Sequence, residues 1–168
     1  MSKRKYKILN DPYQKHLNNS KGELFYENDL LAKTPEGIIR VRGLYSIVNP
    51  LGLEERKGLV YHDLIEKKYD IVNGASIPWF AQWLIPKEGK YNRASSFHDV
   101  GYGKGGIEFF INGRWIFQRR SREWFDNLYS ELMISRDVKE WNRKTQIFVL
   151  DYCGWWRWNK YRKLDKES

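Results

Sequence analysis

Asn112-Gly113 lies between two apolar runs, Ile107-Glu-Phe-Phe-Ile111 and Arg114-Trp-Ile-Phe-Gln118. An Asn-Gly pair accepts the two positive φ angles of the turn whose twist matches that of antiparallel strands, so this segment predicts a two-residue β-hairpin. The hairpin excludes a continuous helix through the middle of the chain. It also predicts a sheet into which the rest of the domain must fit.

Helices are expected on either side of it. Tyr91 to Tyr102 reads as a short helix, with Asn92 as its cap and Gly101, Gly103, Gly105 and Gly106 as its end. Ser121 caps a second helix running to about Ser135, in which Trp124, Phe125, Leu128, Leu132 and Met133 recur at helical spacing. Asp137, with Glu140 three residues on, predicts a capping box that opens a third helix. In it Trp141, Phe148 and Tyr152 share a face with Thr145, and Gly154 is read as the stop.

Upstream, Gly37 to Val48 alternates apolar residues with Arg40 and Arg42 and reads as a strand. Leu59 to Tyr61 and Leu64 to Val72 read as further short strands. Strands first and helices later argue an α+β fold: a small antiparallel sheet followed by a cluster of about three helices, with the β-hairpin inserted between the first two. The expected organisation is an extended polar arm over 1–36, one α+β domain over 37–154, and an aromatic-basic tail over 155–168.

The chain of 168 residues carries a net charge of +9, so an acidic partner such as nucleic acid fits its electrostatics. Its 8 Trp and 11 Tyr supply large rings for a core despite 30% charged residues. The single cysteine, Cys153, allows no internal disulfide, and a reducing compartment is expected. The basic start Met-Ser-Lys-Arg-Lys-Tyr-Lys leads into no apolar run, so no signal peptide and no membrane span are expected.

Four constellations could carry chemistry. His98-Asp99 sits between Phe97 and Val100, and Asp126 lies inside an apolar helix with Arg122 one turn before it. One His with two carboxylates suits Zn, Mn or Fe and a bound water of lowered pKa. The same residues also suit a buried network in which His98 meets Asp126, Arg122 pairs with a carboxylate, and the whole only locks helices together. Ser76, before Ile77-Pro78, lacks the Gly-x-Ser-x-Gly frame of a nucleophile elbow. The glycine cluster 101–106 follows a helix rather than a strand, and so fails the dinucleotide context. The tail interleaves Trp156, Arg157, Trp158 and Tyr161 with lysines, which suits a protein interface, single-stranded nucleic acid, or packing against its own domain.

Val72-Asn73-Gly-Ala75-Ser76-Ile77-Pro78, Gly89-Lys-Tyr91, Ala94, His98-Asp99, Tyr102, Arg122 and Asp126 stand in the order and spacing of a phage and prophage family. Over roughly residues 60–155 the chain resembles this domain of unknown function 1353. Asn73 stands where the family shows Asp, and the hairpin at 107–118 lengthens the usual link between the His-Asp helix and the Arg-x-x-x-Asp helix. A family site of one His and three carboxylates would therefore lack one ligand here.

The resemblance implies a phage setting, in the virion or the host cytoplasm. The leading expectation is a non-catalytic virion component of the neck, portal or tail region, bound to other particle proteins and to copies of itself. The alternative is a metal-dependent hydrolase, with His98, Asp99 and Asp126 as ligands of a divalent transition metal and Asn73 and Ser76 assisting. A nucleic-acid-binding module comes third.

Overall fold

The computed structural model describes residues 4–16, 24–26, 28–43 and 90–167. The segments expected as strands at 59–61 and 64–72, and the candidate residues Asn73 and Ser76, lie outside the described residues.

The fold is α+β. A five-stranded antiparallel sheet has the order β1 (Lys7–Ile8), β4 (Leu30–Thr34), β5 (Gly37–Val41), β6 (Gly106–Ile111) and β7 (Arg114–Arg119). β2 (Gln14–His16) and β3 (Leu24–Tyr26) form a separate ladder. Helix α1 (Asn92–Lys104) precedes β6, and α2 (Arg122–Ser135) and α3 (Glu140–Glu167) follow β7. Leu30, Ala32, Ile39, Val41, Ile107 and Phe109 bury one face of the sheet. Against that face α1 and α2 bring Phe97, Phe125, Leu128 and Leu132. Such two-layer burial lets a sheet and a few helices share one core.

The β6–β7 hairpin closes at Asn112 (φ 49°) and Gly113 (φ 78°), with Ile111 opposite Arg114. It lies between α1 and α2, as expected, and joins the main sheet because β6 also pairs with β5, with Arg40 opposite Glu108. Arg40 binds both Glu108 oxygens, at 3.0 and 3.3 Å, and reaches Asp29 at 3.0 Å. This charged cross-strand pair ties the N-terminal strands to the hairpin.

Several expectations are corrected. Residues in 1–36 are no detached arm: β1 and β4 belong to the main sheet, and Ile8, Tyr26, Leu30 and Ala32 lie in the core. The expected 36/37 boundary falls inside the β4–β5 hairpin, where Thr34 pairs with Gly37. Helix α1 runs through Gly101 and Gly103 and ends only at Gly105, in the left-handed conformation (φ 66°). Asn92 is its first residue rather than its cap; its carbonyl accepts the hydroxyls of Ser95 and Ser96. Ser121 does cap α2, accepting the Trp124 amide at 3.2 Å.

Asp137 does not open α3. It takes a positive φ of 55° just past α2, where its amide reaches the Ile134 carbonyl and the Val138 amide reaches that of Met133. These bonds make a Schellman closure of α2, so the acidic residue that mimics an N-cap serves a C-terminus. Gly154 does not stop α3, which continues to Glu167 and absorbs the expected tail. Trp158 and Tyr161 pack on the core from this extension, which offsets the weak helix propensity of one glycine.

Candidate functional site

Helix α1 projects His98 and Tyr102 one turn apart, with their rings 4.0 Å apart. Helix α2 projects Arg122 and Asp126 with the same spacing. The two helices bring these four side chains to one point. Asp126 Oδ1 accepts from His98 Nε2 at 2.9 Å and from the Tyr102 hydroxyl at 2.6 Å. Arg122 Nη1 stands 3.6 Å from Asp126 Oδ2, an ion-pair distance beyond a good hydrogen bond. The Tyr129 ring lies 5.2 Å from that of His98, and its hydroxyl donates to Gln146 of α3.

The site is closed from the α3 side. Gly154 is buried there, and a Cβ on it would stand 2.7 Å from the Tyr102 hydroxyl and 3.4 Å from Arg122 Nη1. Trp158 meets Tyr102 edge-on at 5.3 Å. Only 5% of His98 is exposed. Burial is the main cause that lowers the His98 pKa; Asp126 opposes it and the charge of Arg157 adds to it. The imidazole is therefore neutral near pH 7. With Nε2 donating to a carboxylate, its lone pair sits on Nδ1. Burial also pushes the Tyr102 hydroxyl well above its ordinary range, reinforced by its bond to Asp126. Tyr129 is raised by burial first and then by the charge of Asp99.

His98, Tyr102, Arg122 and Asp126 are thus brought together. Asp99 lies on the flank of α1, where its charge acts on Tyr129 and Tyr26 rather than joining His98 on Asp126. Among the described residues no three His, Cys, Asp or Glu side chains form a group able to hold a metal. Asp126 Oδ1 already takes two donors, and His98 Nε2 points at that carboxylate, so these two atoms as arranged do not ligate a common metal.

Of the tail residues, Trp158 and Tyr161 face the core, Arg157 is partly buried near His98, and Trp156 is exposed. Sequence reasoning missed Gly154 and Arg162. Arg162 Nη2 donates to the carbonyls of Tyr102 and Gly103, both at 2.8 Å, and closes the end of α1. The available signal was a lone glycine among Trp and Tyr in a segment otherwise suited to a helix. Among the described residues no helix is long and apolar enough to cross a membrane.

No curated protein and no solved structure matches the chain. A family profile described as "Protein of unknown function (DUF1353)" matches residues 47–149, a span that holds His98, Tyr102, Arg122 and Asp126. The chain belongs to the DUF1353 family.

Proposed function

We propose that this protein is a non-catalytic building block of a phage particle, placed in its neck, portal or tail region. One observation carries this reading: the His98–Tyr102–Asp126 cluster is buried, and Asp126 Oδ1 is taken by both the His98 imidazole and the Tyr102 hydroxyl. A hydrolytic site needs an open position for water or substrate. Here α3 lays Gly154 and Trp158 over the cluster instead. Such a knot fixes the mutual placement of α1, α2 and α3, and that is what a subunit needs when its neighbours read its shape. The phage setting rests on the family likeness, and a charge of +9 suits contact with acidic neighbours.

Elemental analysis of the full chain, loaded with Zn, Mn and Fe salts and then dialysed, tests the absence of chemistry. The expected content is far below one metal per chain. The Asp126→Asn variant, by breaking a buried charge cluster, lowers the melting temperature by about 10 °C (roughly 3–5 kcal/mol) without altering that content. About one metal per chain, lost in His98→Ala, would overturn the reading in favour of a hydrolase. Mass spectrometry of purified particles tests the setting; the chain is expected there in multiple copies.

A further inference from the structure

Helix α3 is apolar on two faces. Ile147, Leu150, Gly154, Trp158 and Tyr161 turn inward onto the core. On the far side, about 140° around the helix, Trp141, Thr145, Phe148, Tyr152, Trp155 and Asn159 follow one another at spacings of four, three, four, three and four. This is the seam of a heptad repeat, the pattern by which one helix docks along another. Trp141 is 48% exposed, Phe148 61%, Tyr152 69% and Trp155 53%. A second apolar stripe on a helix calls for a partner of its own, and among the described residues only the inner face meets the core.

We propose that this outer stripe pairs antiparallel with the same stripe of a second copy. The charges beside the stripe select both occupant and register. Lys144 and Asp151 occupy the same shoulder of the stripe, one heptad apart. In an antiparallel helix pair, equivalent shoulders of the two helices face each other. Setting Trp141 opposite the second copy's Tyr152, and Thr145 opposite its Phe148, brings Lys144 to the second copy's Asp151. The two-fold axis makes that contact twice. Sliding by one heptad sets Asp151 against Asp151, or Lys144 against Lys144. A parallel pair leaves both charges beside apolar residues, Val149 and Trp156. The stripe is thus self-complementary in one arrangement.

The area suits a weak dimer. Four rings of about 200 Å² each, half to two-thirds exposed, offer on the order of 450 Å² per copy; a pair then covers close to the roughly 1,000 Å² of a specific interface. The pairing lies on the face of α3 away from the His98 knot, so its failure would leave the reading of that knot untouched.

Sedimentation equilibrium of the full chain, under reducing conditions so that exposed Cys153 forms no disulfide, gives the test. The wild type is expected to pass from 20.3 kDa to twice that mass as its concentration rises to about 100 μM. Phe148→Glu, at an exposed position that leaves the fold intact by circular dichroism, is expected to stay monomeric. Lys144→Glu alone and Asp151→Lys alone each weaken the dimer about tenfold, and the double swap restores it. A wild type that stays monomeric overturns the proposal. A dimer indifferent to Phe148→Glu, or a double swap that fails to recover, overturns it equally.

Discussion

The hydroxyl of Tyr102 occupies the place where a side chain on Gly154 would begin: a Cβ there would lie 2.7 Å from it. Gly154→Ala sets two effects against each other. Replacing a glycine inside a helix gains about 1 kcal/mol. Displacing Tyr102 from Asp126 loses a hydrogen bond to a charged group, about 1.5–3 kcal/mol. The second effect wins, and the melting temperature is expected to fall by about 2–6 °C. In a Tyr102→Phe background the same change should become stabilising. A calorimetric double-mutant cycle checks the reversal of sign.

The His98 imidazole carries a pH dependence. Its folded pKa lies below the unfolded value, because burial disfavours the charged form. As pH falls through about 6.5, the unfolded chain takes up a proton that the folded chain refuses, so stability is present above that pH and is lost below it. The slope approaches about 1.4 kcal/mol per pH unit. Urea midpoints measured between pH 7.5 and 5 should fall in the wild type and fall less steeply in His98→Gln. Equal slopes would show that folding does not lower the His98 pKa.

Arg162 binds the last carbonyls of α1 with one nitrogen and stacks on Trp158 at 4.8 Å. Arg162→Ala should lower stability by about 1–2 kcal/mol and raise amide hydrogen exchange in the last turn of α1. Arg162→Lys should recover less than half of that, because an ammonium lacks the planar fork and its stacking face. Full recovery by Lys would show that charge alone acts there.

Much of the architecture could be read from local chemistry. Asn112-Gly113 dictates its turn whatever surrounds it, and Ser121 caps α2 through a bond spanning three residues. The pairing of His98 with Asp126 was foreseeable, because a carboxylate inside an apolar helix must find a donor. Local signals failed where distant packing competed with them. Gly101 and Gly103 do not end α1. At Gly101 a Cβ would stand 2.2 Å from the Phe125 ring, so that glycine is set by how closely the ring packs on the helix. Asp137 mimics an N-cap, yet it closes the preceding helix and pairs with Arg4 at 3.2 Å.

By itself, then, the sequence determined which segments turn, which repeat at helical or strand spacing, and which polar groups demanded partners. These follow from φ preferences and from the cost of burying an unpaired donor or acceptor, both of which act over a few residues. Only the tertiary structure decided that the N-terminal strands complete the sheet, that α3 passes through Gly154 to seal the His98 knot, and that a second apolar face of α3 is turned outward. Those outcomes depend on surfaces that meet only after the chain has folded, and the area they bury outweighs the modest local preferences they override.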